Sequence, residues 1–263
     1  MRLLGFPGHL CLLIIIGLNG AGSISVSAAT QATRPRQATT TTPSQSNHQR
    51  PVKRGPLTVK EQREAEQRLA DLGYWTGKID GQWDETSRYA LMAFQKVEGL
   101  KRTGQLTRAD FEVLRHAERP SPLEASPAHV EVDLVRQVLF LVGEDGQVSR
   151  ILPVSTGSGK EFISEGWARD AVTPPGRYSI YMKVDGWKKS PLGRMYYPNY
   201  FMVGTAIHGY PSVPAKPASH GCVRIPMFAA KEFSEMMPIG MGVLIHRGVI
   251  PAPLTPLADQ SKD

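Results

Sequence analysis

The sequence predicts a multidomain chain, a small three-helix bundle followed by a mainly β domain of sandwich or barrel form with one or two helices. Three observations predict it. Apolar residues recur at helical spacing between Pro56 and Ala117. From His129 to about Val249 they alternate in twos, with turn residues at short intervals. Polar, Pro-containing stretches separate these regions from each other and from an apolar N-terminus. At 263 residues the chain has room for one large or two modest domains.

Residues 1–29 read as a secretory signal peptide. Arg2 supplies the charge, Leu10 to Leu18 is an apolar run shorter than a bilayer-spanning helix needs, and small residues follow at Val26-Ser27-Ala28-Ala29. Cleavage is expected after Ala28 or Ala29; the alternative is an uncleaved anchor. Cys11 follows His9-Leu10, unlike a lipoprotein signal. Residues 30–55 have almost nothing to bury and read as a disordered linker.

The helical region, residues 56–117, starts at Thr58 and Glu61, spaced as a capping box. Ala65, Leu69 and Leu72 then recur until Gly73. Asp80-Gly81 makes a turn. A second helix over Thr86 to Val97 places Ala90, Phe94 and Val97 on one face, and Thr107 caps a third with Phe111 and Leu114 inward. Tyr74, Trp75 and Trp83 read mainly as core residues.

Residues 118–127 form a second linker. In the β region, 128–249, strands are expected at His129 to Val135, Gln137 to Val142, Val148 to Ser155, Arg177 to Lys183 and Gly242 to His246, with a helix at Met227 to Met237. Thr156 to Gly159 reads as an ordinary hairpin loop. Asp185 to Phe201 mixes aromatic and basic residues and reads either as a cleft wall or as core packing; Trp187 and Tyr197 are its candidate substrate-binding residues. Residues 250–263 read as a flexible, Pro-rich tail.

The net charge of +7 suits a partner that is a polyanion without naming one. Lys and Arg are spread along the chain with no run interleaved with aromatics, so no nucleic-acid partner is expected. Losing Cys11 with the signal peptide leaves Cys222 as the only cysteine, a thiol with no internal disulfide partner in an exported protein. It is either reactive or inertly buried.

Chemistry concentrates in Ile207 to Pro226, IHGYPSVPAKPASHGCVRIP. A thiol attacks as thiolate, so a nucleophilic Cys222 needs a base, and either His208 or His220 can serve. Gly221, lacking a side chain, allows close approach to a substrate. A metal set of His208, His220, Cys222 and His246 is conceivable on residue types but lacks paired ligand spacing. No metal and no cofactor is expected.

Two resemblances follow. LGYWTGKIDGQWDETSRYALMAFQKVEGLKRTGQLT is similar to the type 1 peptidoglycan-binding domain, departing from it at Trp83-Asp84. VSTGSGK, TPPGRYSIY, IHG and SHGCVR, in that order, resemble the YkuD-like catalytic domain of L,D-transpeptidases. The second resemblance implies Cys222 as acyl-accepting nucleophile, His208 as its base and the Gly209 carbonyl as the group orienting that base. It implies an oxyanion hole of the Gly221 and Cys222 amides. Ser219 and His220 would shape the pocket, and Arg224 would brace the loop or meet a stem carboxylate. His220 and Arg224 also have purely structural readings.

The implied reaction is acyl transfer from peptidoglycan tetrapeptide stems through a thioester, giving 3-3 cross-links when the acceptor is the side-chain amine of a diamino acid. Water or a protein lysine as acceptor would give an L,D-carboxypeptidase or a protein-anchoring ligase. Sensitivity to carbapenem-type inhibitors, a bacterial envelope location and a monomeric state are expected. A non-catalytic wall-binding adaptor is the reading from another class; intact histidine and cysteine argue against it. An NlpC-type endopeptidase places Cys before His, the reverse of the order here.

Overall fold

A computed structural model describes residues 55–125 and 127–248. The expected signal peptide, the spacer through residue 54 and the tail from 249 lie outside the described residues.

Three helices come first: α1 (Val59–Asp71), α2 (Glu85–Val97) and α3 (Arg108–His116). Each starts where a side chain binds amides that no preceding turn can satisfy. Thr58 with Glu61 and Thr107 with Asp110 form capping boxes on α1 and α3. Asp84 accepts from the Ser87 N–H at 3.0 Å on α2. The fully buried carboxylate of Glu66 accepts from the Gly81 N–H and the Ser87 hydroxyl, each at 2.8 Å. One side chain therefore ties the Asp80-Gly81 turn to both α1 and α2.

The rest is mainly β. Its strands are β1 (His129–Asp133), β2 (Val138–Val142), β3 (Val148–Pro153), β4 (Glu161–Ser164), β5 (Trp167–Asp170), β6 (Gly176–Ser179), β7 (Met182–Lys183), β8 (Trp187–Ser190), β9 (Gly193–Met202), β10 (Thr205–Tyr210), β11 (Val223–Pro226) and β12 (Gly242–His246), with α4 (Met227–Met236) after β11. One sheet has the order β3-β2-β1-β12-β6 and the other β11-β10-β9-β7, with β8 paired to β9; β4 and β5 form a separate ribbon. The single strand expected over 177–183 is two strands in different sheets. At its corner the Ile180 N–H donates to the Met241 carbonyl and the Tyr181 N–H to the Tyr200 carbonyl, each at 2.9 Å. Chains that pass between packed sheets turn such corners.

Leu139 and Leu141 of β2 pack with Ile207, Val223, Ile225 and Phe233 in the core built from both sheets and α4. Their neighbours Val138 and Phe140 point the other way, into a core with Leu69, Phe94, Phe111 and Leu114 of the helices. Burial on both faces explains why β2 reads as the continuous apolar run VLFLV. Beyond α1, the Trp75 N–H donates to the Ile151 carbonyl at 3.0 Å and the Ile151 N–H to the Gly73 carbonyl at 2.8 Å, laying Tyr74 along β3. The helices and the first sheet thus share one core.

Candidate active site

β10 and β11 run parallel, with Ile207 opposite Val223 and His208 opposite Arg224. Because side chains alternate along a strand, Ile207, Val223 and Ile225 enter the core. His208, Tyr210, Cys222 and Arg224 take the other face and line a cleft of about 430 Å³. Cys222 immediately precedes β11, one step diagonal from His208.

A bulge sits beside His208. Between the pairs Asn199–Ile207 and Tyr196–Gly209, β9 carries one residue more than β10. Tyr197 takes up the excess at φ +48, and bulges re-aim neighbouring side chains. Asn199, fully buried, donates to the Tyr197 carbonyl at 3.0 Å and accepts from the Ser234 hydroxyl of α4 at 3.1 Å. Gly209 lets α4 approach: a Cβ there would lie 2.6 Å from the Ala230 Cβ.

His208 Nδ1 is 3.0 Å from the Gly209 carbonyl oxygen. A carbonyl only accepts, so Nδ1 carries the proton and Nε2 the lone pair. Burial, reinforced by the Arg224 charge and opposed by the Gly209 bond, lowers the ring from 6.5 to about 4. Burial pushes the half-buried Cys222 thiol above its ordinary 9.0, opposed by a hydrogen bond from the Ala206 backbone and by Arg224. At neutral pH the pair rests as thiol and uncharged imidazole.

The loop before Cys222 is held by the segment after β3. Ala218 and Ser219 N–H groups both donate to the Thr156 carbonyl, and the Ser158 N–H to the Ser219 carbonyl, each at 2.9 Å. Thr173 accepts from the Gly157 N–H at 2.9 Å and donates its hydroxyl to the Gly221 carbonyl at 2.6 Å. Residues 156–159, expected as an ordinary hairpin loop, are instead a shelf under the cysteine loop. The Ser219 hydroxyl donates to the Cys222 carbonyl at 2.6 Å and accepts from the Gly221 N–H at 3.0 Å. Of the two amides expected to form an oxyanion hole, that of Gly221 is thus engaged by the serine hydroxyl in the resting site. Gly221 has φ +137, and a Cβ there would lie 3.0 Å from the Val172 carbonyl oxygen, so the position admits no side chain without strain.

Two hairpins wall the cleft. β4 and β5 contribute Phe162, Ser164 and Arg169; β8 and β9 contribute Leu192, Arg194 and Met195. His220 is exposed, with its ring 4.7 Å from that of Phe162. The Arg224 guanidinium lies 4.0 Å over the Tyr210 ring.

Trp187 and Tyr197, expected to touch substrate, do not line this cleft. Trp187 stacks on Tyr196 at 4.9 Å and carries Arg194 at 4.4 Å over its ring. Tyr197, the bulge residue, packs against the main core. Alternation along β9 sends Met195 into the cleft and Tyr196 against Gly209. His246 does not join His208 and Cys222 either, because it pairs with Asp133 in the other sheet and lines a separate cavity.

Sequence reasoning missed the β4–β5 wall, Tyr210, and the roles of Thr156 and Thr173. A signal for the wall was present. Glu165-Gly166 sits between Phe162-Ile163 and Trp167-Ala168, and its two turn residues have φ +53 and +83, as a two-residue hairpin turn of the primed type requires.

A family model described as the L,D-transpeptidase catalytic domain matches residues 127–245, and one described as a peptidoglycan binding domain matches residues 59–114. The crystal structure of an L,D-transpeptidase from Xylanimonas cellulosilytica is 40% identical, with 73% of this chain and 94% of that chain covered and a TM-score of 0.68. That of an L,D-transpeptidase from Stackebrandtia nassauensis is 24% identical over 71% of this chain and 91% of that one, with a TM-score of 0.42, too low to carry weight. No curated protein matches the chain.

Proposed function

This chain belongs to the L,D-transpeptidase family, and on that premise we propose that it is an exported cysteine acyltransferase that joins peptidoglycan stem peptides. Its catalytic domain is accompanied by a peptidoglycan-binding domain, so peptidoglycan is its substrate and the cell envelope its place of work. No helix among the described residues is long and apolar enough to cross a membrane.

In the proposed reaction the Cys222 sulfur attacks the carbonyl between the L-centre of a diamino acid and the terminal D-Ala of a tetrapeptide stem. The thiol proton passes to His208 Nε2, held in its tautomer by the Gly209 carbonyl, and then to the departing D-Ala amine. The acyl group is left as a thioester on Cys222. An amine from a second stem, giving up its proton to His208, attacks the thioester, forms the 3-3 amide and frees the thiol. Arg224 and the cleft-facing Arg169 and Arg194 place positive charge near a substrate rich in carboxylates.

The observation that carries this reading is a neutral imidazole, oriented by Gly209, on the same cleft face as Cys222. The test is incubation of the purified protein with disaccharide tetrapeptide, followed by mass spectrometry. Dimers that have lost D-Ala are expected, none with Cys222→Ala, together with a covalent carbapenem adduct on the wild type alone. Tripeptide without dimer would make the enzyme a carboxypeptidase. Neither product and no adduct would leave the adaptor reading.

A further inference from the structure

Lys96 lies in the last turn of α2 and is 1% exposed. Packing a helix on a sheet requires no ammonium, and burying one is costly unless its donors are bound. Its Nζ donates to the Gln137 carbonyl at 3.0 Å and to the Val154 carbonyl at 2.9 Å. Those residues already meet, because the Val154 N–H also donates to the Gln137 carbonyl, at 2.9 Å. Gln137 sits at φ +62, rare for a residue with a side chain. Its amide grips Thr156 twice: Nε2 donates to Thr156 Oγ1 at 2.8 Å, and Oε1 accepts from the Thr156 N–H at 3.0 Å.

Thr156 is the residue whose carbonyl holds the Ala218 and Ser219 amides, and Ser219 in turn holds the Cys222 carbonyl. An unbroken series of hydrogen bonds therefore runs from α2 to the nucleophile. The same helix also meets the stretch before Cys222 through Tyr89. Tyr89 hydrogen-bonds the Val213 backbone, and its ring lies 6.3 Å from that of Phe228 in α4.

We propose that Lys96 is a positioning residue for Cys222, through which helix α2 of the peptidoglycan-binding domain holds the loop that presents the thiol. That domain is then part of the frame of the acyl-transfer site as well as its attachment to the wall. The proposal rests on the acyltransferase reading for one of its two tests only.

The variants are Lys96→Met, which keeps the length but removes the donors, Thr156→Val, which removes the hydroxyl and so one of the two bonds to the Gln137 amide, and their combination. The readouts are kcat and KM on disaccharide tetrapeptide and the pH profile of Cys222 alkylation by iodoacetamide. Lys96→Met should lower kcat about tenfold with KM changed less than about twofold, because misplacement affects the reacting geometry more than binding. It should also displace the alkylation profile. Thr156→Val should act in the same direction, and the double variant should be no slower than the slower single, since both weaken one series. A Lys96→Met protein with wild-type kcat and alkylation profile overturns the proposal even if its melting temperature falls, as does an additive double variant. Should Lys96→Met fail to fold, unchanged kcat and alkylation in Thr156→Val overturns it equally. If the wild type turns over no tetrapeptide, the acyltransferase reading fails while alkylation still decides on Lys96.

Discussion

Alkylation of Cys222 across pH tests the resting state of the site. His208 titrates at about 4, and Cys222 above its ordinary 9.0, because burial penalises each charged form. At about 1.36 kcal/mol per pH unit, lowering His208 from 6.5 to about 4 makes protonation of the ring cost on the order of 3 kcal/mol more than in water. A thiolate–imidazolium pair ahead of substrate would have to overcome both burial costs, and the expectation is that it does not form. Proton transfer to Nε2 must accompany attack. The rate of iodoacetamide labelling, read on the Cys222 peptide by mass spectrometry so that Cys11 does not intrude, should therefore stay low from about pH 5 to pH 8 and rise with the thiolate fraction, about tenfold per pH unit, with no plateau near neutrality. Its midpoint should lie on the alkaline side of 9.0. His208→Gln should keep that alkaline limb while turnover of tetrapeptide falls by about 10²–10⁴. Full reactivity at about pH 5 to 7 would reveal a preformed ion pair and refute the reasoning. Stability offers an independent reading of the same group. As pH falls from 6.5 toward 4, the unfolded chain binds a proton that folded His208 refuses, so stability present above 6.5 is lost across that window. His208→Gln should lack that loss.

Lys96 should titrate in the opposite pH region. Burial, with Arg102 nearby, lowers it from 10.5 to about 7. Between those values the unfolded chain holds a proton that the folded one lacks, so stability should rise with pH by up to about 1.4 kcal/mol per unit. Urea unfolding at two alkaline pH values checks this, and an equal slope in Lys96→Met would count against it. Glu66→Ala strands the Gly81 N–H and the Ser87 hydroxyl in a buried site and should cost about 1–3 kcal/mol for each unpaired donor by denaturant titration. Gly209→Ala drives a methyl to 2.6 Å from the Ala230 Cβ. It should cost about 1–3 kcal/mol and lower kcat by disturbing the carbonyl that orients His208, with stability largely recovered by adding Ala230→Gly; no recovery would mean that the contact with α4 is not the cause.

What the chain reveals in its letters depends on how local the physics is. The three helices were legible because Thr58 and Thr107 each bind amides within three residues, and because Leu69, Phe94 and Leu114 repeat with the helical period; the Asp84 cap of α2, which starts that helix at Glu85, was not read. The two His-Gly pairs and Cys222 were visible as residue types, and β10 and β11 bring His208 and Cys222 to one cleft face. The bulge at Tyr197 was not visible, since a tyrosine at positive φ has no signature where glycine is the usual choice. That one extra residue reverses which residues of β9 face the cleft, so that Tyr197 lies outside its lining by a register that no local pattern sets. The engagement of the Gly221 amide by Ser219 likewise depends on a side-chain torsion. Lys96 is the extreme case. Between Phe94 and Val97 it reads as a solvated helix residue, because its acceptors lie 41 and 58 positions along the chain. A buried lysine with two carbonyls becomes meaningful only when β2 and β3 are folded beneath α2, and its meaning is a mechanical link from the peptidoglycan-binding helices to the loop that carries the thiol.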